Sequence, residues 1–286
     1  MPDKAPAWVA PVMRTGYFAR AAVYTVVGGL AFFAAIQGGA AQGTTDALAD
    51  LQKHPGGLIA LWLIALGLWA YMIWRLVDAA LDLDCYGSDA KGLFARAGLV
   101  VTGLIHAAIG ASVAAIALGG DSGGGSGTQT ATQKLMTMPA GPWLVGLAGL
   151  ITIGAGAYYI RKGIKESYKE HIRVTATAQR LAPVMKAGCI AEGVVVGLIG
   201  LSVTYAALTT DPSQAGGLGE ALHHLRSMAF GRILLALVGL GLVGFAVENA
   251  VEGAYRVLPR YDGADVLTLA KRAKLRAEGK LDEVTA

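Results

Sequence analysis

Four polar side chains interrupt otherwise apolar stretches of this 286-residue chain: Arg20, Tyr24, His106 and Glu192. Arg20 and Glu192 carry opposite charges and each lies four residues after a glycine, so they are expected to meet at one level as an ion pair. A charge within apolar sequence usually faces a bundle interior or water and marks a candidate solute or proton path. An arginine close to a boundary can instead snorkel to polar surroundings. His106 lies deepest. Its imidazole, with an ordinary pKa near 6.5, changes charge close to neutral pH, which is what a proton relay requires. Tyr24 is its expected partner, and the plainer alternative is a neutral histidine hydrogen-bonded to a neighbouring helix.

Nothing else forms a reaction centre. No second histidine shares the helix of His106, and His223 and His224 fall at the opposite end, so no metal is expected. No nucleophile is paired with a base, and GxSG is absent from the fourth apolar run. The chain is therefore expected to be no enzyme, with no catalytic residue and no cofactor.

Composition identifies what must hold these residues. The chain is 54% hydrophobic and 15% charged, with a mean hydropathy of +0.51. Six apolar runs recur, each close to the roughly 20 residues that cross a bilayer core. They are expected as helices over 16–36, 57–79, 98–118, 142–160, 188–208 and 231–252. The first follows Arg14 and Arg20 and is long enough to span, so it should remain as a helix and not be cleaved as a signal peptide. Forty glycines are costly in soluble helices, but in lipid they let helices approach closely.

The connections read as follows. A short amphipathic piece over 46–53 is expected to lie at the membrane surface. Residues 81–92 (LDLDCYGSDAKG) form an acidic, turn-rich, solvated loop. Tyr86 and Leu93 occupy the fifth and twelfth places, where a calcium loop needs oxygen ligands. Residues 119–133 have linker composition. Ile164, Tyr168 and Ile172 suggest that the fourth helix continues as a basic amphipathic segment through Arg180. The tail holds a weak helical stretch over 265–276.

All but Lys53, Lys134, Arg226 and Arg232 of the 24 Lys and Arg residues fall on the side of the termini, which predicts cytoplasmic termini. The net charge of +4 has the same explanation, so no nucleic acid is expected as a partner. Cys85 and Cys189 should be free thiols in that reducing compartment.

The opening motif APVMRTG (10–16) returns as APVMKAG (182–188) and, more faintly, as FARAG (94–98). Gly16, Gly98 and Gly188 align, as do Gly28, Gly110 and Gly200. In the even helices Gly67, Gly154 and Gly241 align, followed by Tyr71, Tyr158 and Phe245. The division is a lead (1–13), three two-helix repeats (14–92, 93–183, 184–256) and a charged tail (257–286). Two crossings per repeat give all three the same orientation, so the expected fold is an all-α integral membrane protein: six transmembrane helices as three parallel two-helix repeats in a pseudo-threefold bundle.

The basic residue before glycine at Arg14, Arg96 and Lys186, with GYFARAAVY (16–24), PGGLIALWLIALGLWAYMIWR (55–75) and GSDAKG (87–92), resembles domain-of-unknown-function family 1206, bacterial integral membrane proteins. The resemblance implies three tandem two-helix repeats in a bacterial inner membrane and brings no activity. The third repeat departs from it, with Glu192 in the place of Arg20 and Val196 in the place of Tyr24.

Arg14, Arg96 and Lys186 are expected to meet anionic lipid headgroups. Arg75, Asp78, Arg161, Lys162, Glu248 and Glu252 form either a ring of pairs between repeats or simply solvated helix ends. Two functions fit: a scaffold or accessory subunit with a membrane protein partner, or a small channel or transporter for an ion, proton or small solute along the pseudo-threefold axis.

Overall fold

The computed structural model describes residues 6–38, 43–120 and 127–258, with Thr268, Lys271 and Lys274. Among these, nine α-helices follow one another: α1 (Val9–Gln37), α2 (Thr44–Gln52), α3 (Gly57–Leu81), α4 (Ala90–Ala117), α5 (Gly127–Met136), α6 (Gly141–Ile164), α7 (Ala176–Thr209), α8 (Leu218–Ser227) and α9 (Gly231–Tyr255). Six of them, α1, α3, α4, α6, α7 and α9, are long and apolar enough to cross a membrane. The chain is a multi-pass helical membrane protein, and its only strand pairing among the described residues is two isolated bridges.

Three membrane helices start well before their apolar runs: α1 at Val9, α4 at Ala90, and α7 at Ala176 with Pro183 inside it. Their start signals lie in polar sequence. Asp89 accepts from the Gly92 amide at 2.9 Å and Thr175 from the Ala178 amide at 3.0 Å, satisfying donors that a first turn leaves free. The apolar run marks the hydrocarbon and the cap marks the helix.

Several connections differ from expectation. Helix α6 stops at Ile164. Glu166 turns left-handed at φ 55°, and a 3₁₀ turn follows over Ser167–His171. Tyr168 and Ile172 are buried while Ile164 is exposed, so their spacing does not mark one helix face. Part of the supposed linker is α5, which packs on α6; residues 121–126 lie outside the described residues. Helix α2 packs one face on α1, α3 and α4, with Leu48 fully buried and Asp46 exposed. The 81–92 loop is not simply solvated either: Asp82 and Asp84 are buried. The tail begins with buried Val257 and Leu258, and its 265–276 stretch lies almost wholly outside the described residues.

Each repeat is therefore a long helix, a short helix and a long helix. The turn into each even helix is built alike. Gly56, Ala140 and Phe230 are left-handed, at φ 77°, 58° and 59°. Gly57, Gly141 and Gly231 come next, where a Cβ would lie 1.8, 2.5 and 1.9 Å from the carbonyl oxygens of Leu51, Leu135 and Arg226.

These turns correct the register of α6. They pair Gly67 and Gly241 with Ile151, three residues before the expected Gly154, and Tyr71 and Phe245 with Ala155. The seams between repeats agree. A Cβ on Gly28, Gly110 or Gly200 would collide with α9, α3 or α6 respectively, within 3 Å of Val243, Trp69 or Ile153, which share one column.

The seams within repeats are not equivalent. In repeats one and three, Gly67 and Gly241 receive Ala19 and Ala191, whose Cβ atoms would lie only 2.4 and 2.3 Å from a Cβ added to the glycine. Gly16 and Gly188 lie as tightly on the backbones of Tyr71 and Phe245. In repeat two the corresponding pair is Val101 and Ile151, both more than half exposed, and a Cβ on Gly98 would meet nothing within 4 Å among the described residues. Two branched side chains replace a small-residue contact, and α4 and α6 do not pack along each other as α1 packs on α3 and α7 on α9. The pseudo-threefold ring thus runs α4, α3, α1, α9, α7, α6 and stands open inside its second repeat.

Gly241→Ala should accordingly lower stability by roughly 1–3 kcal/mol, the usual cost of overpacking. Gly154→Ala, at a position with nothing within 4 Å, should leave it unchanged or slightly raised. Thermal unfolding in detergent compares the two, and equal losses would contradict the open seam.

Candidate functional site: a buried polar axis

Arg20 projects from α1 into the bundle and is 3% exposed. Its Nη1 donates to the Tyr71 hydroxyl at 2.9 Å, and its guanidinium lies 4.7, 5.5 and 5.6 Å from the ring centres of Tyr71, Phe245 and Tyr24. Such contacts are worth about 2 kcal/mol or more each when desolvated. The cage therefore holds a cation that lipid would expel. Tyr24 packs edge-on against Phe245 and donates its hydroxyl to Glu192 on α7 at 2.5 Å.

Arg20 and Glu192 thus do come together, but not as the expected ion pair. Among the described residues neither has an opposite charge within ion-pair distance, and Tyr24 stands between them, its ring on the cation and its hydroxyl on the carboxylate. His106 is buried at the same level, but its partner is not Tyr24. Its Nδ1 lies 2.7 Å from the Thr102 carbonyl, which can only accept, so Nδ1 carries the proton; the ring packs on Tyr71 at 4.7 Å. Arg20, Tyr24 and His106 border a cavity of about 50 Å³ beneath the first residues of α2 and α8, room for a few waters. The axis is polar at this level.

On the side of the termini the expected ring residues divide. Arg75 donates to the hydroxyls of Tyr71 at 2.8 Å and Tyr17 at 3.3 Å and lies 3.8 Å from Asp78. Lys162 pairs with Glu248 at 2.6 Å, tying α6 to α9. Glu252 pairs at 2.5 Å with Arg256, which also takes Asp84 at 2.5 Å. These are buried pairs, not solvated ends; Arg161 alone is exposed. Of the three residues assigned to lipid, Arg14 is exposed, Arg96 donates to the last carbonyls of α3 at Ala79 and Ala80, and Lys186 lies 3.4 Å from Glu166.

Arg256 was not foreseen, and it joins all three repeats. It reaches Asp84 in the last stretch of repeat one, and its backbone bridges Ile172 in the last stretch of repeat two. Sequence carried one signal for it. In the corrected register Asp82, Glu166 and Arg256 share a column, and the third reverses the charge of the other two.

The comparisons fit this register. The chain matches the family described as Domain of Unknown Function (DUF1206) three times, over residues 15–82, 97–166 and 187–256, so the matches end on that same column. The chain belongs to this family. A Bacillus subtilis (strain 168) protein described as "Uncharacterized protein YxxB" is 29% identical over 254 residues, covering 87% of this DUF1206 chain and 92% of its own length. No solved structure matches.

Outside the membrane helices, the clamp of this DUF1206 chain sets an acid dependence. Burial works against the Asp84 carboxylate, but the charges of Arg256, His171 and Arg75 outweigh it and hold the group below its ordinary range. Burial and then Arg256 depress the His171 imidazole. A depressed histidine costs nothing while neutral in both states and costs stability once the unfolded chain protonates, below about pH 6.5. The Asp84 contribution is lost only at lower pH, as the folded group itself protonates. Stability should therefore fall from pH 7.5 to pH 5.5, His171→Gln should flatten that fall, and Arg256→Gln should cost roughly 3–5 kcal/mol, as breaking a buried pair does. Denaturant titrations at the two pH values measure all three.

Proposed function

We propose that this chain is a non-enzymatic subunit of a bacterial cytoplasmic-membrane assembly, with both termini in the cytoplasm, whose second repeat receives one transmembrane helix of a partner protein. The observation that carries the reading is the open hairpin. The most apolar window of α6 is 17% buried, against 39–50% in the other five membrane helices; the long helix it packs along is α7, and it touches α9 at Lys162–Glu248 and Tyr159–Phe245. Gly98 and Gly154, where an added Cβ would meet nothing within 4 Å among the described residues, offer the close approach that holds helices together in lipid. The basic bias on the side of the termini supports the orientation. Gly154→Trp should leave the isolated chain folded and remove a stoichiometric partner that co-purifies with wild type in mild detergent. Repeated isolation of wild type as a lone monomer would sink the reading.

The polar axis favours a second reading, a channel or transporter for a proton or small ion. Arg20, Tyr24, His106 and Glu192 would then line the path, opened by a rearrangement of the cage. Glu192→Gln or His106→Ala should abolish ion flux in proteoliposomes followed with a pH- or halide-sensitive dye, and unchanged flux would take both residues out of the mechanism.

A further inference from the structure

The cavity above Arg20 is electropositive by construction. Its polar lining is Arg20, Tyr24, His106 and Thr44, with no carboxylate among the lining residues. Glu192, which lies outside the lining, accepts the Tyr24 hydroxyl. Arg20 is more than nine-tenths buried, has no opposite charge within ion-pair distance among the described residues, and leaves its Nε without a hydrogen-bond partner.

The roof adds to this. Thr44 opens α2 and Leu218 opens α8, and both border the cavity, so two helix N-termini converge over the guanidinium. They abut, since a Cβ on Gly43 would lie 3.3 Å from the Gly219 amide. Each N-terminus carries positive partial charge on amides that no carbonyl of its own helix can satisfy. Two carboxylates lie in these first turns and neither lines the cavity: Glu220 accepts from the Gly217 amide at 2.8 Å, and Asp46 is exposed. His106 is committed through its Nδ1 proton to the Thr102 carbonyl.

We propose that this cavity binds one small monovalent anion of halide size, between the Arg20 guanidinium below and the first turns of α2 and α8 above. The volume of about 50 Å³ selects for size, and the apolar walls, Val27 and Ile109 among them, exclude a second charge. The site does not depend on a partner helix, and it gives the second functional reading a solute class without requiring that the solute cross.

The test is the thermal midpoint of the full chain in nanodiscs of zwitterionic lipid at constant ionic strength, with sodium gluconate replaced stepwise by sodium chloride or bromide. A saturable rise of a few degrees is expected with either halide. Arg20→Gln should abolish it. Because that change also empties the aromatic cage, Ile109→Phe is the companion variant, filling the cavity without altering a charge; it should fold and lose the rise. A wild-type midpoint unmoved by both halides, or a rise that persists in folded Ile109→Phe, would overturn the site. Halide binding without flux in proteoliposomes would sustain the site and remove only the transport reading.

Discussion

Lipid gives an apolar helix no reason to leave it, so this bundle rests on how closely its helix backbones approach. The glycine and alanine seams supply that approach, and each needs a small residue on one side to admit the other. Where Val101 and Ile151 stand in place of such a pair, the seam is absent although the rest of the repeat is intact. The same physics therefore accounts for five closed sides of the ring and one open side.

Close approach has a second effect: it seals the axis from lipid and makes it fit for charge. Arg20, Arg75, Lys162 and Arg256 are all held with little or no exposure, and each is answered differently. Arg20 has aromatic faces and a phenol, Arg75 two phenols and a distant carboxylate, Lys162 one carboxylate and Arg256 two. The sequence of answers runs from aromatic, at the middle of the bundle, to ionic, at the end that bears the termini. An aromatic cage is the weaker neutraliser, and it leaves the Arg20 cation able to attract a further charge.

The architecture was legible because a glycine column is hard to mimic: three repeats, six spans and the odd-helix register follow from Gly16, Gly98, Gly188 and their partners twelve residues on. The even helix of repeat two was misread for a physical reason. Positions three apart on an α-helix lie on nearly the same face, so Gly154 passes for Ile151 in any pattern built on faces alone. The short helices were obscure because α5 is polar and stands in a glycine-rich stretch, while its stability comes from packing on α6. Arg20, Tyr24, His106 and Glu192 were legible as a cluster because polar residues in apolar runs stand out. Their pairing was not, since Tyr24 on the same helix as Arg20 and Tyr71 on α3 both pack on the cation, and no spacing rule says which hydroxyl reaches which charge.

The spatial order of the helices also bears on how the protein is made. The strip runs α4, α3, α1, α9, α7, α6, so the first and last membrane helices of the chain are neighbours at its centre, while its two edges come from mid-chain. During synthesis one half can assemble from α1, α3 and α4 and the other from α6 and α7, but the seam that joins them waits for α9. Until then Arg20 lacks Phe245, Lys162 lacks Glu248 and Asp84 lacks Arg256. The charges of the axis must be sheltered by something else, water, lipid headgroup or insertase, for as long as the ribosome takes to finish the chain.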